Sequence, residues 1–91
     1  ANKNNFDKAK YYYEKAIALG DVYPQPHHNL GNMYINLGSY DKAEKEYLRA
    51  IEIDKTFSFS YNSLYNLYIF QKETKKAEEI KKKFEGLFLK S

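Results

Sequence analysis

The chemically most versatile residues of this chain are two adjacent histidines, His27 and His28. The chain contains no cysteine, which excludes disulfides, thiolate nucleophiles and cysteine-ligated zinc or iron–sulfur centres. Neighbouring side chains on a helix point about 100° apart, so the two imidazoles do not converge on one ion. No acidic residue stands at a spacing that would complete a ligand set. The sequence therefore predicts no metal site at these two residues.

Three consecutive lysines at positions 81–83 could contact nucleic acid or anionic lipid. Glu78, Glu79 and Glu85 are interleaved with them, and such Glu–Lys spacing stabilises a solvated helix face. No aromatic–basic platform for stacking bases accompanies the lysines. No apolar run approaches the roughly 20 residues that span a bilayer. We therefore expect neither a nucleic-acid partner nor a membrane partner.

No residue pattern in the chain predicts catalysis. A nucleophile with an assembled base is not visible, and the 4 glycines are scattered rather than grouped into a phosphate-binding loop. We expect no enzymatic activity and no cofactor.

The remaining polar candidates are asparagines. An amide side chain can donate to and accept from a peptide backbone without reading its sequence. Asn32 and Asn66 are related by a 34-residue shift and could form two rungs along a bound chain. The alternative is that they are solvated polar positions in a chain rich in asparagine.

The shift that carries Asn32 onto Asn66 relates many other positions without a gap, and matches in two successive shifts indicate an internal repeat. The positions that superpose on one another under this shift are Phe6, Ala9, Tyr13, Ala16 and Ile17 on Tyr40, Ala43, Tyr47, Ala50 and Ile51, then Leu30 on Leu64, Tyr34 on Tyr68 and Ala43 on Ala77.

Each repeat unit is predicted to contain two helices, because apolar residues recur at helical spacing on either side of a glycine turn. Pro24 and Pro26 suit the first helical turn, and Gly38 ends the first helix. The predicted first-type helices are 25–37 and 58–70, and the predicted second-type helices are 5–19, 39–53 and 75–89. Ala43 and Ala50 lie on one face, where small side chains let two antiparallel helices approach closely.

These residues resemble the tetratricopeptide repeat, whose pattern of small, aromatic and alanine positions is matched by Leu30, Gly31, Tyr34, Gly38, Tyr40, Ala43, Tyr47 and Ala50. In this unit His27 stands at the family's Trp position, which implies that it is a core residue, and Lys55 stands at its Pro position. The resemblance implies an all-α fold, a right-handed α-solenoid of antiparallel helix pairs with five helices in about 2.5 units. It implies a single domain over 1–91, with a partial repeat at 5–19, a full repeat at 24–57 and a divergent repeat at 58–91.

The last unit departs from the pattern at three positions. Tyr65 replaces the small residue, Lys81 the aromatic of the second helix, and Phe84 the second alanine. We expect its two helices to lie further apart or at a changed angle.

The resemblance implies that the protein binds an extended peptide or a partner helix on a concave face built mostly by the first-type helices. The residues predicted to form this peptide-binding groove are His28, Asn29, Asn32, Asn36, Asn62, Asn66 and Phe70. Some family members hold a C-terminal carboxylate with Lys, Asn and Arg side chains. Here Asn32 matches an expected Asn, but His28 stands where Lys is expected and Ser63 stands where Asn is expected. We therefore expect no clamp of that kind.

A second hypothesis is that the repeat surface serves self-assembly. The helix predicted at 5–19 has no first-type partner in this sequence. Part of its apolar face, formed by Phe6, Ala9, Tyr13 and Ala16, would therefore be exposed, and exposed apolar patches favour association. A homo-oligomer through this helix is the expected consequence. The sequence leaves the identity of the partner and the cellular compartment open, with the cytoplasm as the first expectation.

Overall fold

The computed structural model describes residues 3–89, with side chains from Phe6 onward. Within this range the chain forms five α-helices and no strand: α1 (Lys3–Leu19), α2 (Pro24–Asn36), α3 (Tyr40–Ile53), α4 (Ser58–Phe70) and α5 (Thr74–Phe88). The bounds of α2 recur in α4 exactly one repeat later, and the starts of α3 and α5 are related by the same shift. The prediction of an all-α fold with five helices is confirmed.

The turn between α2 and α3 explains why the two helices are antiparallel neighbours. Gly38 has a φ of 75°, a left-handed conformation that a residue without Cβ adopts at little cost. The amide of Ser39 donates to the carbonyl of Tyr34 at 2.9 Å, and the amide of Gly38 donates to that of Ile35 at 3.0 Å. This pair of bonds is a Schellman motif, which satisfies the last carbonyls of α2.

The turn between α4 and α5 has the same geometry with a different residue. The amide of Glu73 donates to the carbonyl of Tyr68 at 2.8 Å, and that of Lys72 donates to Ile69 at 3.0 Å. Lys72 takes the place of Gly38 and has a φ of 60°. The repeat therefore preserves the turn although the second unit has lost its glycine.

The core lies where α3, α4 and α5 meet. Ala43 and Ala50 are fully buried, which confirms that small side chains on one face of α3 permit close packing. Tyr34 and Ile35 of α2 pack against the same core, so stacking on neighbouring helices is what buries the apolar face of each pair. The residues of the central cluster are Ala43, Tyr47, Tyr61, Leu64, Tyr68, Ala77 and Ile80.

The helices pack mainly in chain order, α1 on α2, α2 on α3, α3 on α4 and α4 on α5. At the first of these contacts the rings of Phe6 and Tyr34 meet edge to face, with centroids 6.2 Å apart. The described chain is flat and elongated, with extents of 43 × 29 × 15 Å. This arrangement is that of a helical repeat; the right-handed twist of the solenoid stays a prediction.

Candidate functional site

A depression between α2 and α4 is the surface most relevant to binding, and we call it the groove. It has a volume of ≈ 290 Å³. Its lining combines side chains of α2, α3 and α4, and consists of Ile35, Tyr40, Tyr47, Ser63, Asn66, Leu67 and Phe70. Two of the predicted groove residues, Asn66 and Phe70, therefore lie in it together.

Asn32 is held at the edge of the groove by a tyrosine beneath it. The Tyr47 hydroxyl donates to Oδ1 of Asn32 at 2.5 Å, and burial raises the pKa of Tyr47, so the hydroxyl remains a donor. Since the carbonyl of the exposed Asn32 already accepts a bond from Tyr47, its Nδ2 group is the part that can donate to a ligand. The ring of Tyr47 is fully buried, so it fixes the amide from a rigid position.

Asn66, the repeat equivalent of Asn32, lacks this support. The residue one repeat after Tyr47 is Lys81, whose side chain is exposed on α5. Asn66 itself is exposed on α4 and lines the groove. The two asparagines thus differ, because the amide of Asn32 is oriented by a buried tyrosine and that of Asn66 is not.

Three further predicted groove residues lie on α2 and at the end of α4. Asn36 is exposed at the last position of α2. Asn29 is half-buried and accepts a hydrogen bond at 3.1 Å from Nε2 of Gln25, one turn before it. Phe70 is 66% exposed, and its ring packs on Tyr40 with centroids 5.2 Å apart.

Asn62 does not lie in the groove. It lines a separate depression of ≈ 230 Å³ together with Tyr61, Tyr65, Ile80, Lys81 and Phe84. This depression lies between α4 and α5, and none of its lining residues belongs to α2. The site predicted from sequence is therefore divided between two surfaces.

The prediction that His28 is a groove residue is wrong. Its side chain is only 9% exposed and packs against the rings of Tyr47, Phe57 and Phe59 at 5.4, 5.4 and 6.2 Å. Nδ1 lies 2.9 Å from Oγ of the fully buried Ser60. Burial lowers the pKa of His28, so the ring joins α2 to α4 as a neutral internal residue.

His27 is buried, as predicted, but its partners were not foreseen. Nε2 lies 2.6 Å from Oδ1 of Asp21 and Nδ1 lies 2.7 Å from Oε1 of Glu46. Both contacts can be hydrogen bonds only when both ring nitrogens carry a proton, since a neutral imidazole has one N–H. Arg49 holds Asp21 from the other side, at 2.8 Å, and this bond, followed by that of His27, lowers the pKa of Asp21.

This arrangement ties three segments together rather than forming a metal centre. The two carboxylates lie on opposite nitrogens of one ring, so they do not converge on a common point. Within residues 3–89 no group of three potential ligands is placed to hold a metal ion. The same part of the chain has no helix long and apolar enough to cross a bilayer.

The surface formed by α2 and α4, which we call the wall, differs from the rest of the chain in its lack of charged side chains. All 15 Lys and Arg residues and all 12 Asp and Glu residues lie outside these two helices. The exposed side chains of the wall are amides, such as Asn32 and Asn66, and apolar groups, such as Ile69 and Phe70. Sequence reasoning singled out the asparagines but not the absence of charge around them.

Comparison with protein families supports the resemblance. Residues 24–57 match the family model described as tetratricopeptide repeat, and this range coincides with α2, α3 and the turns that flank them. A comparison with curated proteins gave no significant match. Repeats of this family generally mediate protein–protein interaction and are typically non-enzymatic. Residues 24–57 therefore form a tetratricopeptide repeat, and the recurrence of the helix bounds under one shift gives α4 and α5 the same helix-pair arrangement.

Proposed function

We propose that the protein is a non-enzymatic interaction module that binds an extended peptide, or one face of a partner helix, along the groove between α2 and α4. The amides of Asn32 and Asn66 contact the backbone of the partner. Ile35 and Phe70 contact its side chains. Asn29 and Asn36 extend the polar contacts along α2.

The observation that carries this proposal is the bond between Tyr47 and Asn32. An exposed amide whose carbonyl already has a buried partner loses less rotamer freedom when it binds a ligand. Its Nδ2 group remains available to donate to a backbone carbonyl. Of the two amides, Asn32 is therefore the one that is already oriented before a ligand binds.

Removing the two amides tests the proposal. Peptides that bind the folded chain can be selected from a random library, and their affinity measured by fluorescence anisotropy. A net hydrogen bond contributes about 0.5–1.5 kcal/mol, so Asn32→Ala should weaken binding by about threefold to tenfold, and Asn32→Ala with Asn66→Ala by more. The matched control is Lys45→Ala, an exposed residue of α3, which should leave the affinity unchanged.

Circular dichroism of each variant checks that the helices are retained. Equal affinity of the double variant and the original chain would count against the groove as the binding surface. A loss shared by the Lys45 variant would point to a different surface.

Self-assembly is the alternative use of the repeat surface. Of the four predicted residues, Phe6, Ala9 and Tyr13 are half-buried and Ala16 is exposed. α1 also exposes larger apolar side chains, among them Tyr11, Tyr12 and Leu19 at 58%, 60% and 84%. These side chains favour association through α1. Light scattering distinguishes the two uses: a monomer at high concentration removes the alternative, and a dimer lost in Tyr11→Ser with Tyr12→Ser supports it.

A further inference from the structure

The absence of charge from α2 and α4 restricts what the groove can bind. Tyrosine hydroxyls, amides and apolar groups are the only exposed side chains of these helices. The two histidines of α2 do not change this, because both are buried. His27 is paired with Asp21 and Glu46, and burial lowers the pKa of His28.

A charged side chain laid on such a wall would lose part of its hydration without gaining an opposite charge. Burial of an unpaired charge is strongly unfavourable, and amide dipoles compensate for it only in part. Apolar and neutral polar groups have no such penalty. We infer that the partner segment is uncharged where it contacts α2 and α4, an inference that rests on the proposed function of the groove.

The lining of the groove adds a second property to the partner. Ile35, Leu67 and Phe70 surround a depression of ≈ 290 Å³, which accommodates one large apolar side chain. Asn66 at its lining and Asn32 at its edge provide amides for the main chain on either side. The occupant is thus an extended, uncharged peptide segment that carries an aromatic or branched aliphatic residue.

Selection from a random peptide library on the complete chain tests this composition. We expect the enriched peptides to share a large apolar residue and to lack Asp, Glu, Lys and Arg at the positions where alanine replacement weakens binding. Because surface ion pairs are screened by salt, the affinity of such a peptide should change less than about threefold between about 50 mM and about 500 mM NaCl.

A variant that adds one charge with little change in shape provides the second measurement. Asn66→Asp should weaken the binding of a peptide selected on the original chain by about tenfold, the effect of a desolvated unpaired charge. A library selected on Asn66→Asp should be enriched in peptides with Lys or Arg. Lys45→Glu, which changes charge on α3, should have neither effect.

The outcomes separate this inference from the function on which it rests. Enriched peptides that require a charged residue, while Asn32→Ala still weakens their binding, would overturn the inference and leave the proposed groove intact. An Asn66→Asp variant with unchanged affinity and unchanged peptide preference would also overturn it. No enrichment, or binding indifferent to both asparagines, would overturn the proposed function and the inference together.

Discussion

The two complete helix pairs of this chain share their boundaries but differ in how closely they pack. α2 and α3 lie closer together than α4 and α5 do. In the first pair Gly31 faces the ring of Tyr47, and a Cβ at Gly31 would lie 2.6 Å from Cε1 of that ring. In the second pair the equivalent residues are Tyr65 and Lys81, and a depression of ≈ 230 Å³ opens beside them.

The difference accompanies the change of both residues at this contact, together with Phe84 in place of the second alanine. A glycine on the first helix lets a buried aromatic ring of the second helix approach its backbone, which is why Gly31 is itself buried. When the ring is replaced by a lysine, nothing fills the space beneath the first helix, and a large residue is tolerated there. The sequence-based expectation was that the last two helices lie further apart or at a changed angle, and their less extensive contact agrees with it.

Removal of the Tyr47 ring should have the largest effect. Tyr47 is 2% exposed, and truncation of a buried aromatic typically costs about 3–5 kcal/mol. Tyr47→Ala should therefore lower the free energy of unfolding by that amount, whereas Lys81→Ala, on the exposed surface, should change it by less than about 0.5 kcal/mol. Urea denaturation measures both. Equal losses in the two variants would show that the pairs are stabilised alike.

Gly31→Ala should have the next largest effect. The added methyl group meets a ring that is buried and bonded to Asn32, and such overpacking costs about 1–3 kcal/mol. Alanine regains up to about 1 kcal/mol of helix propensity, so a net loss of roughly 1–2 kcal/mol is expected. In a Tyr47→Ala background the steric cost disappears, and Gly31→Ala should become neutral or stabilising. A loss that persists in that background would exclude the contact with the ring as its cause.

The acid sensitivity of the first unit provides a third test. Burial lowers the pKa of His28, so the unfolded chain binds a proton at a higher pH than the folded chain does. The stability due to neutral His28 is complete above its ordinary pKa and is lost as pH falls toward the lower folded value. Its repeat equivalent, Asn62, is exposed and does not titrate in this range.

Comparison of the original chain with His28→Asn isolates this effect from other titrating groups. The difference in unfolding free energy between the two should shrink as pH is lowered from about 7 to about 5, through the ordinary pKa of histidine near 6.5. Denaturant titrations at four or five pH values measure it. A difference independent of pH would mean that His28 is solvated in the folded state.

The boundaries of the helices were predictable because local rules set them. The repeat period, the prolines at the start of α2 and Gly38 at its end placed the four helices from α2 to α5 within one residue of their observed bounds. The second-type helix predicted at 5–19 begins at Lys3. The family resemblance then gave the stacking of the pairs. These features depend on periodicity and turn chemistry, which a single sequence displays.

The environment of the two histidines was not predictable from local rules. His28 is buried by Phe57 and Phe59, which lie where its own unit ends and the next begins. His27 is held by two carboxylates, one 6 residues before it and one 19 residues after it. A signal was nonetheless present, since Asp21, His27 and Glu46 correspond under the repeat to Lys55, Tyr61 and Ile80. Three equivalent positions that change character together indicate a contact specific to one unit.

The binding site was predicted only in part, for a related reason. Helical spacing identified which residues of α2 and α4 share a face, and Asn66 and Phe70 do line the groove. Helical spacing did not show that α4 lines two separate depressions, one with α2 and one with α5. Asn62 was therefore grouped with residues that it does not accompany.

The smallest expected effect lies in the turns, where Gly38 and Lys72 adopt the same left-handed conformation. That conformation costs a residue with a Cβ roughly 1–2 kcal/mol, a cost that glycine avoids. Glycine loses roughly 0.5–1 kcal/mol of this advantage because its unfolded state is more flexible. Lys72→Gly should therefore stabilise the chain by up to about 1 kcal/mol, and Gly38→Ala should destabilise it by a similar amount. Thermal unfolding of both variants measures the pair. If Lys72→Gly lowered the midpoint of thermal unfolding, the backbone at Lys72 would not be strained. The looser packing of α4 and α5 could then not be attributed to their turn.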